Sequence, residues 1–522
     1  MADETEDAEL ESQEAVRGLA RGGALNLAGT LVNQAASFVI LLVMAWELGS
    51  RNVGLYSQAF AFLALLELLS MSGFRSGLTR YVAVHRADGD EASLRGTLRL
   101  GLGLSAASSL LLGVALYVAA PWLARSAFHD GGLELLLRFV AVSLLPQVVM
   151  GAALSATQGF LTMRYYAGVG LLIVPGVRVV LTVALLARGS GLHAVMGVLL
   201  ATNVLGAVLA LAALRHLAGP AGARPQYQLR EIFSFSMVSW LASLASNGLL
   251  WADTILLGLY LSSAEVGRYQ VASRLVLMAT LAMTPINASF APRIADLYRR
   301  GRTASLQRTY AVATSWILRI SLPALVVVAV YFPQLTRMFG RGFGVSAWVV
   351  LALVAGKLTD AATGPCGLML NQSGRVALNM VDNVGVLVLN VGLNLVLIPR
   401  YGIVGSALAW MVSLVAVNVA RVLQVRTTMG MLPFDAASGK GLVAALTALV
   451  AALSVAVTVP GRLTLWVGAP FTVAVYVVML VLLGLPPDDH ILLQQMTGRG
   501  GGGGDLSRPR PADGALVAAG RR

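Results

Sequence analysis

Residues 261–302, LSSAEVGRYQVASRLVLMATLAMTPINASFAPRIADLYRRGR, decide how the rest of the chain is read. They set one arginine, Arg274, inside an otherwise apolar helical span and then end in a burst of positive charge. The outline recurs earlier in the chain at a constant offset. Val53, Gly54 and Tyr56 fall on Val266, Gly267 and Tyr269, and further along Arg80 and Arg86 fall on Arg293 and Arg299. One unit is used twice, but not identically, because the place equivalent to Arg274 is Ala61.

Composition sets the solvent. Of the 522 residues 57% are hydrophobic and 12% charged, with a mean hydropathy of +0.76, against roughly 25% charged in soluble domains. About fourteen apolar windows of about 20 residues, each long enough to cross a hydrocarbon core of about 30 Å, recur between Asn26 and Leu485. The short alternating segments of a transmembrane barrel are absent. The sequence therefore predicts an all-α polytopic membrane protein. Its single cysteine, Cys366, excludes an internal disulfide framework, and no His/Cys cluster has metal spacing. The net charge of +13 sits mostly in short loops between spans, so it reads as a topology signal and gives no reason to expect nucleic acid.

The arginines test the span count. With both termini and the even-numbered turns on the inner side, about 24 Lys/Arg fall inside, about 8 outside and about 6 within spans, the asymmetry of the positive-inside rule. The organisation predicted is a disordered acidic cytosolic tail (1–21), a first six-helix lobe (22–215), a cytosolic linker (216–230), a second six-helix lobe (231–427), two extra helices (428–485) and a disordered, Gly- and Pro-rich cytosolic tail (486–522). No signal peptide is legible in the acidic N-terminus. An even number of spans separates the two copies of the repeat, so they enter the membrane in the same direction. Parallel repeats suggest two lobes with a substrate site between them, and alternating access by rocking.

Four segments, VGRYQVASRL, INASFAPRIADLYRRG, GLMLNQSGRVALN and LNLVLIPRYGIVGSALA, in this order and spacing, resemble the polysaccharide-transporter branch of the multidrug/oligosaccharidyl-lipid/polysaccharide (MOP) flippase superfamily, the Wzx-type oligosaccharide flippases. The resemblance extends from about Gly22 to Leu485. It implies twelve core helices plus two. It also implies transport of an undecaprenyl-diphosphate-linked oligosaccharide across a bacterial plasma membrane for surface polysaccharide biosynthesis. A lipid-linked oligosaccharide substrate, surrounding membrane lipids, and a polysaccharide polymerase and glycosyltransferases as partners are part of the same implication. A cation-coupled drug or metabolite exporter of the superfamily and a non-transporting flippase-like scaffold stay open as alternatives. An enzyme is disfavoured, because no sizeable outer loop carries catalytic carboxylates.

A charge at the bilayer centre is unfavourable by roughly 2.5–3.5 kcal/mol, so each one needs a partner or an aqueous cavity. Arg274, Arg319, Lys357 and Arg178 are the basic candidates, since guanidinium groups bind the oxygens of a lipid diphosphate bidentately. Arg274 leads this set, on the argument that a single anionic head group needs a cation on one side only. Asn33, Gln34 and Asn247 offer hydrogen bonds to sugar hydroxyls or to neighbouring helices. Glu67, Asp253 and Asp360 are candidates for a coupling proton or Na+, with no other cofactor or metal expected; Lys357 and Asp360, three apart on one helix, also suit a local ion pair. Asp382 reads as solvated near a span end, and Trp46 and Trp251 as interfacial or packing residues rather than sugar platforms.

Overall fold

The computed structural model describes residues 25–484, apart from 220, 221, 223, 460 and 462 and the side chains of 238, 242, 246 and 436. Both tails, 1–21 and 486–522, lie outside the described residues. Every regular element among the described residues is helical. In chain order they are α1 (Leu25–Met71), α2 (Phe74–Ala87), α3 (Glu91–Trp122), α4 (Leu133–Gly159), α5 (Val174–Leu186), α6 (Leu192–Ala218), α7 (Leu229–Tyr260), α8 (Ser263–Met278), α9 (Met283–Arg299) and α10 (Thr303–Arg337). They continue as α11 (Ala347–Thr363), α12 (Cys366–Gln372), α13 (Val376–Tyr401), α14 (Ile403–Met429), α15 (Ala436–Thr458) and α16 (Leu463–Leu482). Single π-helical stretches, Leu123–Ala127 and Tyr166–Ile173, extend α3 and precede α5.

Ten of these spans are long and apolar enough to cross a membrane, and three more are bent pairs. α1 itself has 47 residues, about 70 Å at 1.5 Å per residue, more than twice a hydrocarbon core. Gly49, at φ 76° and ψ 177°, divides it; this backbone is open to glycine without steric penalty. Counting the two arms of α1 separately brings the crossings among the described residues to fourteen, the number expected from the sequence. The bent pairs include α8 with α9, at 46°, and α11 with α12, at 43°. Pro285 stands in the first turn of α9, where its missing N–H costs no helical hydrogen bond, so the chain turns over residues 279–282 and restarts. α8 begins with a capping box: the Ser262 hydroxyl accepts from the Glu265 N–H, and Glu265 accepts from the Ser262 N–H.

α1 to α6 pack around α4, which touches α1, α2, α3 and α6; α7, α11, α13 and α14 pack together on the other side. α15 and α16 lie against each other and against α10. The Tyr331 hydroxyl reaches the Ala452 carbonyl and Thr472 Oγ1, both at 3.1 Å, and fixes this attachment. The charge expected in short loops between spans includes Arg75, Arg80 and Arg86, but these lie on α2, an amphipathic helix packed against the start of α7. Its contacts there are Phe74 edge-on to Phe233 and the Arg80 guanidinium 4.5 Å above the Phe235 ring.

The two copies of the repeat meet each other. Where the second arm of α1 crosses α8, a Cβ on Gly54 would stand 1.6 Å from the Ser263 carbonyl oxygen, and a Cβ on Gly267 would stand 2.0 Å from that of Ser50. Gly54 and Gly267 are equivalent positions at the repeat offset, and so are Ser50 and Ser263. The crossing is thus two-fold in its contacts, with backbone on backbone, an approach only glycine permits. Beside it, Asp130 bridges the halves: Arg51 Nη2 donates to Asp130 Oδ1 at 2.7 Å and Ser263 Oγ to Oδ2 at 2.9 Å. Burial works to raise the Asp130 carboxyl, but the bonds from Arg51, the Gly132 N–H and Ser263 outweigh it and hold its pKa below the ordinary value. The connection around Asp130 is therefore a clasp across the seam. This seam lies at the end of the second arm of α1 opposite to the one that leads into the arginines of α2.

Candidate functional site

Behind the seam the contact between the halves opens into four adjoining cavities. One, about 80 Å³, is lined by Ser37 and Tyr56 of α1, Arg178 of α5, Trp251 of α7 and Gln270 and Arg274 of α8. A cavity of about 290 Å³ shares Ser37 and Arg274 with it and adds Gln34, Asn287 and Lys357 among apolar residues. A third, about 260 Å³, shares Trp251 and extends along Glu67, Arg75, Trp240 and Asn247 toward the arginine-rich face. The fourth, about 100 Å³, shares Trp251 and Arg274 and ends on Asp253 and Tyr269. Arg274 and Trp251 are thus walls common to several compartments.

Arg274 takes this place because α8 runs from the glycine crossing into the space behind it, and the position equivalent to Ala61 faces the other half. Arg178 comes to the same cavity from the first half. Its Nε donates to Thr202 Oγ1 at 3.0 Å and its Nη2 to Asn203 Oδ1 at 2.7 Å, both on α6. These partners are neutral: they aim the guanidinium without cancelling its charge. Among the described residues neither arginine has a carboxylate within ion-pair distance. Tyr56 lies within electrostatic reach of both. The argument that one side alone supplies a cation is corrected here: Ala61 is not cationic, but Arg178, on a different helix of the first half, is.

The remaining basic candidates separate. Lys357 does reach the cavity wall, where its Nζ pairs with Asp360 Oδ2 at 2.8 Å and lies over the Trp410 ring, as three-residue spacing on one helix allows. Arg319 does not join the cavities. It is buried, its Nε donates to the Ser315 carbonyl, its own carbonyl accepts from the Tyr476 hydroxyl at 2.9 Å, and its stem packs on Gly441. Apolar packing of α15 and α16 on α10 turns that face of the helix away from the other half. Of the amides, Gln34 and Asn247 line cavities. The side chain of Asn33 lines none of the four, and its carbonyl accepts from Ser37.

The three carboxylates differ in how they are held. Glu67 is clamped by Arg75 Nη2 at 2.7 Å and Gln147 Nε2 at 2.9 Å. Asp360 is clamped by Lys357 and accepts from Asn418. Asp253 meets no cation among the described residues: Asn394 Nδ2 donates to Oδ1 at 2.9 Å and the Tyr269 hydroxyl to Oδ2 at 3.4 Å. Asp382, expected to be solvated, is 7% exposed at its side chain, accepts from Gln424 Nε2 at 2.7 Å and lies 3.8 Å from Arg421. The turn of α13 that carries it packs on α14 and is not free in solvent.

Tyr56 is a site residue that sequence reasoning did not assign, and Trp251 is one that it read as interfacial or packing but that lines three of the cavities. Tyr56 served only to mark the repeat, and an aromatic residue in an apolar span carries no sign of which way it faces. Trp251 is half-buried and packs on Phe60, ring centroids 5.3 Å apart. Trp46 is exposed, and its indole N–H is given to the Met338 carbonyl.

Comparison with known proteins bears on the same region. The family described as polysaccharide biosynthesis proteins matches residues 19–298, more than half of the chain and the part that holds Arg178, Trp251 and Arg274. A curated relative from Haloferax volcanii named as a probable flippase, AglR, is 27% identical over 228 residues, 41% of this chain and 46% of its own length. The chain spans less than half the length of the curated relatives it matches. Among solved structures, the lipid II flippase MurJ in an inward closed conformation superposes with a TM-score of 0.70 at 13% identity, over 90% of this chain and 99% of that one. An inward-facing multidrug-resistance MATE transporter of the MOP superfamily superposes with a TM-score of 0.64 at 14% identity, over 76% of this chain and 94% of that one. At these identities the two structures speak to fold alone, and this chain shares the fold of both. The match over residues 19–298 settles the family, and the chain is a member of the polysaccharide biosynthesis protein family.

Proposed function

We propose that this protein is a flippase for a polyprenyl-diphosphate-linked oligosaccharide. It takes the head group from the arginine-rich face and releases it at the opposite one as the two halves rock about the seam. The observation that carries this reading is the pair Arg178 and Arg274, brought from opposite halves to one cavity without a carboxylate between them. A diphosphate offers several anionic acceptor oxygens, and two guanidinium groups bind such oxygens with paired, charge-assisted hydrogen bonds. Lys357, already committed to Asp360, lends a weaker field from the adjoining cavity.

Under this reading the arginine-rich face is cytosolic, both termini lie on it, and 22–215 and 231–427 act as the two moving lobes. The undecaprenyl carrier and the bacterial plasma membrane follow the family resemblance and give the head group its delivery point in surface polysaccharide biosynthesis. Asp253 is the best-placed carboxylate for a coupling proton or Na+, because it lines a cavity shared with Arg274 and its partners are neutral. Glu67 and Asp360 are held in ion pairs and fit that role less well.

A cation-coupled exporter of cationic drugs would need an acidic cavity, and the two-arginine cavity argues against it. The test is transport in proteoliposomes of a short-chain, fluorescent, diphosphate-linked glycolipid. Wild-type protein is expected to move it, and the Arg178→Ala/Arg274→Ala double variant to fail at equal incorporation. Equal rates would overturn the assignment of the arginines; no movement by either protein would favour a scaffold role.

A further inference from the structure

The cavity that extends from Trp251 toward the arginine-rich face differs in chemistry from the one that holds the two arginines. Its walls include Glu67, Arg75, Ser76, Trp240, Ser243 and Asn247. Its one acid and one base are already joined, Arg75 Nη2 to Glu67 Oε1 at 2.7 Å, with Gln147 fixing the other carboxylate oxygen at 2.9 Å. The compartment is therefore polar with no net charge. The two-arginine cavity is cationic. Charge alone assigns a neutral, many-hydroxyl ligand to the first and an anion to the second.

The aromatic groups are placed to suit such a ligand. Trp240 is pinned, its indole N–H donating to the Leu68 carbonyl at 3.1 Å. Trp251 is backed by Phe60, itself stacked on Tyr56 with ring centroids 6.0 Å apart. That support holds the Trp251 ring as a wall shared by both compartments. Among the described residues its indole N–H makes no hydrogen bond, so the ring brings an unused donor as well as an apolar face to the shared wall. Asn247 uses its amide N–H on the Ser243 carbonyl at 3.0 Å and keeps its oxygen for another donor. A pyranose ring has C–H faces for an aromatic wall and a rim of hydroxyls for amides, serines and a fixed ion pair.

We propose that this cavity is a saccharide subsite for the sugar next to the diphosphate, with Trp251 as its stacking wall and Asn247, Ser243 and the Arg75–Glu67 pair on its hydroxyls. The inference rests on the flippase reading, since the sugar reaches this cavity by its bond to the phosphate held next door. The shared Trp251 wall is what makes the two compartments adjacent.

Binding to the purified full chain in nanodiscs tests it with defined probes: farnesyl diphosphate, and farnesyl diphosphate carrying glucose, galactose or N-acetylglucosamine. At least one glycosylated probe is expected to bind roughly tenfold tighter than farnesyl diphosphate, one good hydrogen-bonded or stacked contact's worth. Trp251→Leu and Asn247→Leu are expected to shrink that ratio toward one, and Trp251→Phe to keep most of it. The ratio is read against farnesyl diphosphate on the same variant, so a general loss of folded protein does not imitate the effect. No advantage for any sugar on the wild type, or an advantage untouched by both Leu variants, would overturn the subsite and leave the diphosphate reading standing. Failure of farnesyl diphosphate itself to bind would overturn both.

Discussion

The second arm of α1 and its repeat equivalent α8 cross at the seam and part behind it, and the two ends of that pairing follow opposite rules. At the seam the repeat is kept at the positions that touch, Gly54 with Gly267 and Ser50 with Ser263, and each glycine lies against the other helix's carbonyl. Two turns further along it is broken, with Ala61 against Arg274, and there the cavity begins. Tyr56 and Tyr269, still equivalent, already differ: one lines the two-arginine cavity, the other bonds to Asp253. Symmetric positions carry the architecture of a crossing that must fit itself. Asymmetric ones carry the chemistry, because the cargo has no such symmetry.

The largest effect should come from spoiling the symmetric end. Gly54→Val or Gly267→Val puts a Cβ inside contact distance of a backbone carbonyl, which cannot move as a side chain can, so destabilisation of about 3 kcal/mol or more is expected. Thermal unfolding in detergent reads the loss. In a Cys366→Ser background, Ser57→Cys, buried beside the crossing, should then become reactive to impermeant thiol reagents from the face opposite the arginine-rich loops. Unchanged stability would mean the halves are not held at the glycines.

Next comes the asymmetric end. Arg274→Ala should weaken farnesyl diphosphate binding by about 10- to 100-fold, the range of a lost charge-assisted contact of about 1.5–3 kcal/mol. Arg274→Lys should recover part of it. Arg178→Ala should fall in the same range, with the Asn203 amide oxygen left without its donor while Thr202 keeps its bond to the Val198 carbonyl, and a variant bound as tightly as wild type would remove that arginine from the site.

A smaller effect is expected at the Asp130 clasp. Because the carboxyl is held below its ordinary pKa, its contribution to the seam is fully present above about pH 4 and is lost as pH falls through the lowered value. Arg51 is largely exposed, so the clasp contributes about 1 kcal/mol or less. Asp130→Asn should show a slightly looser seam at neutral pH and no further loosening in acid, measured by the same thiol accessibility. An identical acid response in the variant would assign it to another group.

The smallest effect belongs to Arg319→Leu. This arginine is surrounded by α10, α15 and α16, so farnesyl diphosphate affinity should stay within about twofold while thermal stability falls by about 1–3 kcal/mol for the buried polar contacts left behind. A tenfold affinity loss would bring Arg319 back into the site.

Much of the fold was legible because a bilayer imposes length and polarity on each crossing. The division of α1 falls where the sequence separates two apolar spans, whereas the break before Pro285 falls inside what the sequence presents as one span. The site was legible only in part. Arg274, Arg178 and Lys357 could be found, since a buried charge stands out against an apolar background. That background looks the same for a helix facing the cavity, a neighbouring helix or lipid. Arg319 and Arg274 therefore read alike until α15 and α16 were seen to cover one of them. Asp382 misled for the opposite reason: nearness to a span end suggested solvent, while α14 supplied Arg421 and Gln424 from far along the chain.

By itself the sequence determined that this is a membrane protein of about fourteen crossings, built on a parallel repeat and carrying a few buried charges that need a purpose. Periodicity, length and charge are properties of local segments and survive in one dimension. The tertiary structure alone decided that the repeat meets itself at Gly54 and Gly267, that Arg178 joins Arg274 across the halves, and that Trp251 stands between a cationic compartment and a neutral one. Those facts depend on which helix faces come together, and packing between segments distant in the chain fixes that.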